Sequence, residues 1–187
     1  DHGDKTVIGN SLPRFSYSLN LSGDWNNFFV SAFFQGVGKQ DWYPSSECIF
    51  WGQYNRPYNN LPEWHLGNYW TEDNTDAYLP RYAGYNSSLK STTQTRYLQN
   101  VAYIRLKNLQ FGYTLPQEIV SKAKMQNARI YISAENLWCW SPLYKHTRDL
   151  DITNIYGSDP DLTNGGSGDG QSYPQMKSIS LGVSVTF

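Results

Sequence analysis

Apolar and polar side chains alternate strictly over the last stretch of this chain, "SISLGVSVTF". Successive residues of a β-strand point to opposite sides, so the alternation collects all the apolar side chains on one face. That face comprises Ile179, Leu181, Val183, Val185 and Phe187. A strand that stays apolar on one face to its last residue is predicted to meet lipid or a packed core there.

Two stretches near the start also predict strands. "RFSYSLNLS" alternates from Phe15 to Leu21 and runs into a short turn at residues 23–26. "NFFVSAFFQGVG" follows, and it is apolar on both faces. A fourth predicted strand, "ARIYISAEN", alternates Ile130, Ile132 and Ala134 with more polar residues.

Residues 97–115 predict the remaining strand, and its pattern changes phase at Lys107-Asn108. One extra residue moves every later side chain to the other face, so the phase change predicts a β-bulge. Pro116 ends this strand because proline cannot donate to a strand ladder. Residues 117–127 could hold one helical turn, with Ile119, Val120 and Ala123 on one side.

The connections between the five predicted strands are alternately short and long. Residues 39–96 and about 138–175 form the long ones. Transmembrane β-barrels have short periplasmic turns and long extracellular loops at opposite ends. Counting back from a periplasmic C-terminus puts both long loops outside, but single alternating strands occur in every antiparallel fold, so a soluble β-sandwich stays open at this point.

Composition narrows the class of protein. Aromatic residues make up 16% of the chain, which together with frequent Gly, Asn and Ser favours an all-β fold with large loops. The formal net charge of −1 suggests neither a nucleic-acid-binding surface nor a polybasic membrane patch. No apolar run is long enough for a membrane-spanning helix. Cys48 and Cys139 leave a single bridge and two free thiols equally open.

Residues with catalytic or metal-binding chemistry form no recognisable site. The histidines, His2, His65 and His146, share no metal spacing, and neither a nucleophile motif nor a phosphate-binding loop occurs. The acidic segment "RDLDITNIYGSDPD" could hold calcium in principle, but it lacks the order of an EF-hand loop. Glu47, Glu63 and Glu72 are carboxylates in an aromatic loop without a defined separation. We therefore expect neither an enzyme, nor a metal, nor a cofactor.

Three segments in order, "YIRLKNLQFGYTLP", "ARIYISAENLW" and "YPQMKSISLGVSVTF", resemble the C-terminal strands of SusC/RagA-type TonB-dependent transporters of Bacteroidetes. The triplet Glu135-Asn136-Leu137 stands where such proteins have a QNL-like triplet, and "GSDPD" stands in the place of a loop motif. "SLPRFSYSLNLSGDWNNFFVSAFFQGVG" is similar to a preceding strand pair of the family. Several linked motifs in one order are more specific than any one of them.

The resemblance implies an antiparallel up-and-down transmembrane β-barrel of 22 strands, of which this chain would supply the last five or six. Residues 1–187 are then expected to be a C-terminal part of the barrel, without the plug domain. The location implied is the outer membrane of a Gram-negative, Bacteroidetes-like cell. Both long loops would be extracellular and the C-terminus periplasmic.

The same resemblance implies an importer of oligosaccharides or peptides. Its expected partners are the rest of the transporter chain, a SusD-like surface lipoprotein, TonB through a missing N-terminal part, and outer-membrane lipid. Nucleic acid is not an expected partner. The alternatives are a soluble, aromatic-rich β-sandwich that binds glycans and, more weakly, a purely structural surface protein.

The aromatic residues divide into two predicted groups. Flat rings interleaved with polar side chains can hold a sugar ring or a peptide, so part of the first long loop is predicted to face substrate or a partner. These residues are Trp42, Trp51, Tyr54, Trp64, Trp70 and Tyr82. The alternative is that a loop of this length needs a small core of its own. Aromatics near strand ends fit the two membrane interfaces, and these are Trp25, Tyr113, Trp138 and Trp140.

Overall fold

The computed structural model describes residues 6–44, 48–54, 58, 60–82, 92–155 and 173–187. The chain divides into two compact units. The sheet unit comprises Arg14–Gly38, Ala102–Trp140 and Gln175–Phe187, and the loop unit comprises Asp1–Pro13, Lys39–Val101 and Ser141–Pro174. Within the described ranges no helix is both long and apolar enough to cross a membrane.

Antiparallel strands dominate the described residues, which confirms the predicted all-β class. The strands are β1 (Ser16–Trp25), β2 (Phe28–Val37), β3 (Asp41–Trp42), β4 (Gln99–Asn100), β5 (Tyr103–Thr114), β6 (Asn127–Trp140) and β7 (Ser178–Thr186). The sheet unit contains one five-stranded sheet in the order β1-β2-β5-β6-β7, and β3 pairs with β4 in the loop unit. In the five-stranded sheet, strands that follow one another along the chain are also neighbours in space, as in an up-and-down meander.

The helices among the described residues are all short. An α-helical turn, α1, spans Gln117–Val120. The 3-10 helices are Ile49–Tyr54, Glu63–His65, Thr95–Tyr97, Ser121–Ala123, Pro142–Lys145 and Ile152–Asn154. Of the apolar residues predicted on one side of the turn after Pro116, Val120 is buried, whereas Ile119 and Ala123 are exposed, because α1 is too short to turn all three inward.

A two-residue turn joins β1 to β2. Asn26 and Asn27 both have positive φ, 47° and 68°, as a type I′ hairpin turn requires. Trp25 still pairs with Phe28, so β1 extends through the residues 23–25 that the sequence assigned to the turn. Asparagine tolerates this left-handed backbone better than most residues, which is why the hairpin closes tightly here.

The predicted bulge in β5 is confirmed. Pairing with β2 passes from Asn108 directly to Leu106, leaving Lys107 out of the ladder. Pairing with β6 also breaks between Leu106 and Asn108, opposite Asn136, whose φ is 52°. The extra residue brings the apolar side chains before and after Lys107 to the same face of the sheet.

Two strand boundaries differ from the prediction. β5 begins at Tyr103 and not at residue 97, because Thr95–Tyr97 forms a 3-10 turn and the next residues pair with β3. β6 continues to Trp140, so Trp138 and Trp140 lie within the strand and not after it. The long connections accordingly run from 39 to 101 and from 141 to 174. Both leave the same end of the sheet, where Val37, Tyr103 and Trp140 lie.

Cross-strand pairing gives the five-stranded sheet one apolar and one mainly polar face, since directly opposed residues point to the same side. We call these the apolar face and the polar face. From β1 to β7 the apolar face carries Phe15, Tyr17, Leu19, Leu21, Trp25, Phe28, Val30, Ala32, Phe34, Ile104, Leu106, Leu109, Phe111, Tyr113, Ala128, Ile130, Ile132, Ala134, Trp138, Trp140, Ile179, Leu181, Val183, Val185 and Phe187. Serine, asparagine, glutamine and charged residues dominate the other side.

Aromatic rings cover three glycines of the sheet, Gly36, Gly112 and Gly182. A Cβ on Gly182 would lie 2.3 Å from the ring of Tyr131, its cross-strand partner, and one on Gly112 would lie 2.5 Å from the ring of Phe29. On the apolar face Tyr17 lies across Gly36 and donates a hydrogen bond of 3.1 Å to the Tyr103 carbonyl on the next strand. Such pairs fill the space that a glycine leaves and tie neighbouring strands together.

Candidate functional site

The aromatic residues of the loop unit build a core of their own. Phe50 is at its centre and makes edge-on contacts with Trp42 and Trp51, at ring-centre distances of 6.1 and 5.2 Å. Trp51 packs in turn against Tyr97 at 5.3 Å and donates its indole N–H to the Pro44 carbonyl. Edge-on rings at these distances are favourable beyond the area they bury, so this cluster supports a long connection that has little regular structure.

A buried histidine links this core to a second group of rings. Nε2 of His65 lies 2.9 Å from the Phe50 carbonyl, which can only accept, so Nε2 carries the proton. Nδ1 is then an acceptor, and the Tyr82 hydroxyl donates to it at 2.6 Å. Tyr82 also stacks on Tyr54 at 4.1 Å, and the Tyr54 hydroxyl donates to the Pro80 carbonyl. Both rings of the stack are therefore held by the core.

Burial determines the protonation of these groups. Removal from water lowers the pKa of His65 to about 4, so the imidazole is neutral at pH 7. Burial likewise raises the pKa of the Tyr82 hydroxyl, which keeps it protonated as the donor to His65. The pKa of His146, which stacks on Tyr78 at 4.5 Å, is also lowered by burial.

Tyr82 forms one wall of an open cavity of about 270 Å³ within the loop unit. We call it the Trp70 cavity, and its lining residues are Tyr69, Trp70, Thr71, Glu72, Arg81 and Tyr82. Tyr69 meets Tyr82 edge-on at 4.9 Å. The segment from Tyr69 to Tyr82 thus brings three rings, the Thr71 hydroxyl, a carboxylate and a guanidinium to one concave surface, which is the composition of a small-molecule binding site.

Backbone pairing holds the cavity walls together. The Trp70 N–H donates to the Leu79 carbonyl at 3.0 Å, and the Leu79 N–H donates to the Asn68 carbonyl at 2.8 Å. Thr71 and Asn74 close a small turn, and the Asn74 side chain donates to the Gly67 carbonyl at 2.8 Å. The two chain segments that carry the lining residues are thereby fixed to each other.

The six loop aromatics predicted to face substrate separate in the structure. Trp42, Trp51 and Tyr54 are almost completely buried and form the small core that was the alternative interpretation. Trp64 is half-buried and packs on Phe50 at 5.0 Å. Trp70 and Tyr82 line the Trp70 cavity. Its Thr71 and Arg81 carried no signal of their own in the sequence beyond standing next to aromatic residues.

The four aromatics predicted at membrane interfaces all lie on the apolar face, at its two ends. Trp25 and Tyr113 are in the rows next to the β1–β2 turn, whereas Trp138 and Trp140 are in the rows at the opposite end, beside Leu106 and Ile104. The eight residue-to-residue steps from Tyr17 to Trp25 correspond to about 27 Å along a strand, close to the roughly 25 Å apolar band of an outer-membrane barrel once strand tilt is included.

The acidic segment and the cysteines show ordinary structural contacts. Asp151 accepts hydrogen bonds from the backbone and hydroxyl of Thr153, and Asp149 accepts one from the Thr147 hydroxyl. Cys48 and Cys139 do not form a disulfide bridge with each other. In the parts of the chain that the structure describes, no three His, Cys, Asp or Glu side chains form a group able to hold a metal ion. His2, Glu47, Asp159, Asp161 and the "GSDPD" motif lie outside the described residues.

Comparison with curated proteins confirms the resemblance noted in the sequence. The chain is 29% identical to TonB-dependent receptor P3 of Formosa agariphila over 196 residues, which cover 98% of this chain and 17% of that protein. TonB-dependent receptor P26 of the same organism is 27% identical over 185 residues, 98% of this chain and 18% of that protein. The chain therefore spans less than a fifth of the length of these relatives. No family model matches.

Solved structures show the same fold. A structure of the RagAB peptide transporter superimposes with a TM-score of 0.67 at 23% identity, over 97% of this chain and 18% of that chain. The RagAB peptide importer in its closed-closed state gives a TM-score of 0.66 at 22% identity, with the same coverage. The named relatives are receptors and transporters, not enzymes.

Proposed function

We propose that this chain is a C-terminal segment of an outer-membrane TonB-dependent importer of the SusC/RagA type. The observation that carries the proposal is the apolar face of the five-stranded sheet. Ile132, Leu181 and Val183 are 50%, 74% and 64% exposed, and equally apolar neighbours surround them on every strand. A water-soluble protein rarely leaves so large a continuous apolar surface uncovered, whereas a barrel turns such a surface to lipid.

The barrel would be completed by strands that pair with the free edges of β1 and β7. Its full size in this proposal is 22 strands, and residues 1–187 form the last part, with the plug domain elsewhere. The polar face would line the interior of the barrel, because lipid-facing and lumen-facing residues alternate along each strand. The long connections after β2 and β6 would be extracellular, and the β1–β2 turn and the C-terminus periplasmic.

The imported substrate would be an oligosaccharide or a peptide, captured with a SusD-like surface lipoprotein and moved with energy from TonB. One of the structural relatives is the RagAB peptide importer, which supports a peptide substrate and, in general terms, a partner protein. No covalent chemistry is part of the proposal. The residues of this chain would contribute the barrel wall and part of the extracellular surface.

Membrane insertion can be tested with two adjacent residues of β6 in the full-length protein that carries this segment. Ile132 is on the apolar face and Ser133 on the polar face, opposite Ser180. A lysine that faces lipid costs up to about 2–4 kcal/mol, the most at the middle of the bilayer, whereas a lumen-facing lysine stays in water. We expect Ile132→Lys to reduce the folded, heat-modifiable protein in outer-membrane fractions strongly and Ser133→Lys to leave it near the wild-type amount.

Import is tested separately, by uptake of labelled oligosaccharides and peptides in cells with and without TonB. The proposal requires that uptake depend on both the transporter and TonB. Equal tolerance of the two lysine substitutions, with soluble and folded protein in both, would contradict the membrane location and favour the soluble β-sandwich. Normal membrane insertion without TonB-dependent uptake would contradict the importer function but not the membrane location.

A further inference from the structure

One wall of the Trp70 cavity is held by contacts within the loop unit. Tyr82 is fixed by its hydrogen bond to His65, by its stack on Tyr54 and by the edge-on contact with Tyr69. Tyr54 and His65 are themselves completely buried. A wall held in this way loses little conformational freedom when a ligand packs on it, so the binding energy is not spent on ordering the site.

The charged side chains of the cavity lining are exposed to solvent. Glu72 and Arg81 are exposed, and among the residues that the structure describes neither forms an ion pair or hydrogen bond with another side chain. The Lys39–Asp41 pair elsewhere in the loop unit shows that oppositely charged neighbours do pair here when geometry permits. The carboxylate and the guanidinium are both planar and can each bind two neighbouring groups of a ligand.

These features together select a ligand with one apolar side and several hydroxyl groups. The C–H face of a sugar ring packs on flat aromatic side chains, and its hydroxyl groups both donate and accept hydrogen bonds. Glu72 accepts, Arg81 donates and Thr71 can do either. One acidic and one basic side chain give the lining no net charge, so an anionic sugar would gain from Arg81 only what it loses beside Glu72.

We propose that the Trp70 cavity is a binding subsite for a neutral sugar residue of an oligosaccharide, with Trp70 as the stacking platform and Glu72 and Arg81 as the hydroxyl-binding groups. A cavity of about 270 Å³ lies just below the range of roughly 300–1,000 Å³ for whole small-molecule ligands, so it takes a sugar unit or two of a longer chain. This inference rests on the proposed function, because only in an importer is the bound sugar part of the molecule that is imported.

The test is direct binding to the full-length protein in detergent, using a panel of linear neutral oligosaccharides of glucose, mannose, galactose and xylose. The dipeptide Gly-Leu serves as a zwitterionic probe. We expect at least one neutral oligosaccharide to bind with an affinity that changes little with salt. Trp70→Ala should weaken that binding about tenfold, which corresponds to about 1.4 kcal/mol, because it removes the stacking ring.

Two further variants keep the test decisive. Arg81→Met retains the aliphatic stem at an exposed position and should also weaken sugar binding about tenfold without disturbing packing. Tyr58→Ala is the matched control, because Tyr58 is a 74% exposed aromatic of the same connection that does not line the cavity, and it should bind like the wild type.

Three results would overturn the subsite. They are binding of none of the sugars, equal loss in Tyr58→Ala, and salt-sensitive binding of Gly-Leu that needs both Glu72 and Arg81. The last result would make the cavity a peptide-end site. Each of these is distinct from failure of the proposed importer, which is judged by the Ile132→Lys and Ser133→Lys pair and by TonB-dependent uptake.

Discussion

At the scale of single residues, His65 connects the core of the loop unit to the wall of the Trp70 cavity. Its Nε2 donates a hydrogen bond to the Phe50 carbonyl, and its Nδ1 accepts one from the Tyr82 hydroxyl. The hydrogen bond from Nε2 is kept in both protonation states, whereas acceptance at Nδ1 requires the neutral imidazole with its proton on Nε2. A second proton on Nδ1 would face the Tyr82 hydroxyl and remove its acceptor, so the stability of the cavity wall depends on pH.

We predict that the loop unit loses stability as the pH falls from about 6.5 towards 4. The folded pKa of His65, about 4, is below the value of roughly 6.5 expected in the unfolded chain, so between these values the unfolded state binds more protons. The free energy of unfolding should decrease by up to about 1.4 kcal/mol per pH unit in that window and be constant above it. Denaturant titrations followed by tryptophan fluorescence of the full-length protein measure this slope.

The control for the pH prediction is His65→Gln. A glutamine amide can donate and accept without titrating, so the slope should be smaller in this variant, although His146, whose pKa is also lowered, keeps part of it. An unchanged slope in His65→Gln would assign the pH dependence to other groups. This role was not visible in the sequence, because a histidine in an aromatic-rich loop looks the same whether it is buried or in water.

At the scale of elements, the glycine positions of the sheet differ in what surrounds them. A Cβ on Gly112 would lie 2.7 Å from the Ile130 carbonyl oxygen as well as against the Phe29 ring, and a backbone oxygen of a central strand cannot move aside. A Cβ on Gly23 would meet nothing closer than 4.0 Å. The two positions therefore form a matched pair.

Gly112→Ala should lower the free energy of unfolding by about 1–3 kcal/mol, because the added methyl group overpacks a filled site. Gly23→Ala should be close to neutral. The measurement is the temperature at which the full-length protein loses its compact, heat-modifiable form on gels. Equal shifts in the two variants would show that the ring over Gly112 moves away freely.

In the β1–β2 turn, by contrast, one substitution is expected to keep or slightly raise the stability of the protein. Asn27 has a φ of 68°, where glycine is unstrained and a β-branched residue is strongly disfavoured. Asn27→Gly should match or slightly exceed the wild-type stability, whereas Asn27→Val should lower it by about 1–2 kcal/mol. Refolding yield into detergent micelles compares the three proteins. A tolerated valine would mean that the turn changes type without cost.

Elements with a strict period of two could be predicted from the sequence, and those without it could not. The bulge at Lys107 was visible because it reverses the phase of a long alternating strand. The extension of β6 through Trp138 and Trp140 was hidden by a second irregularity at Asn136, which interrupts the alternation. The pairing of Asp41–Trp42 with Gln99–Asn100 joins residues far apart in the chain and has no local signature.

The candidate site was only partly predictable for the same reason. A long aromatic loop predicts both a core and a binding surface, and composition alone does not distribute the rings between them. Trp51 and Trp70 have similar neighbours in the sequence, yet Trp51 is fully buried and Trp70 lines the cavity. The difference depends on which ring reaches Phe50, and that is decided by tertiary packing.

At the scale of the whole molecule, the described residues leave both edges of the five-stranded sheet unpaired and its apolar face uncovered. The outer edges of β1 and β7 have no strand partner among the described residues, and one complete face is apolar. Unpaired edges and exposed apolar surface both promote association between chains. In the proposed importer the remaining strands of the barrel and the lipid bilayer satisfy these two needs.

Residues 1–187 expressed alone should therefore aggregate in plain buffer. In detergent the apolar face is covered but both edges stay free, so we expect β-rich oligomers and no discrete monomer. Refolding together with the rest of the transporter chain should restore a single heat-modifiable species, because only that chain supplies the missing hydrogen bonds. Light scattering after size-exclusion chromatography separates these states. A folded, monodisperse monomer of 21.5 kDa in plain buffer would contradict the barrel and make the Trp70 cavity part of a stand-alone glycan-binding module.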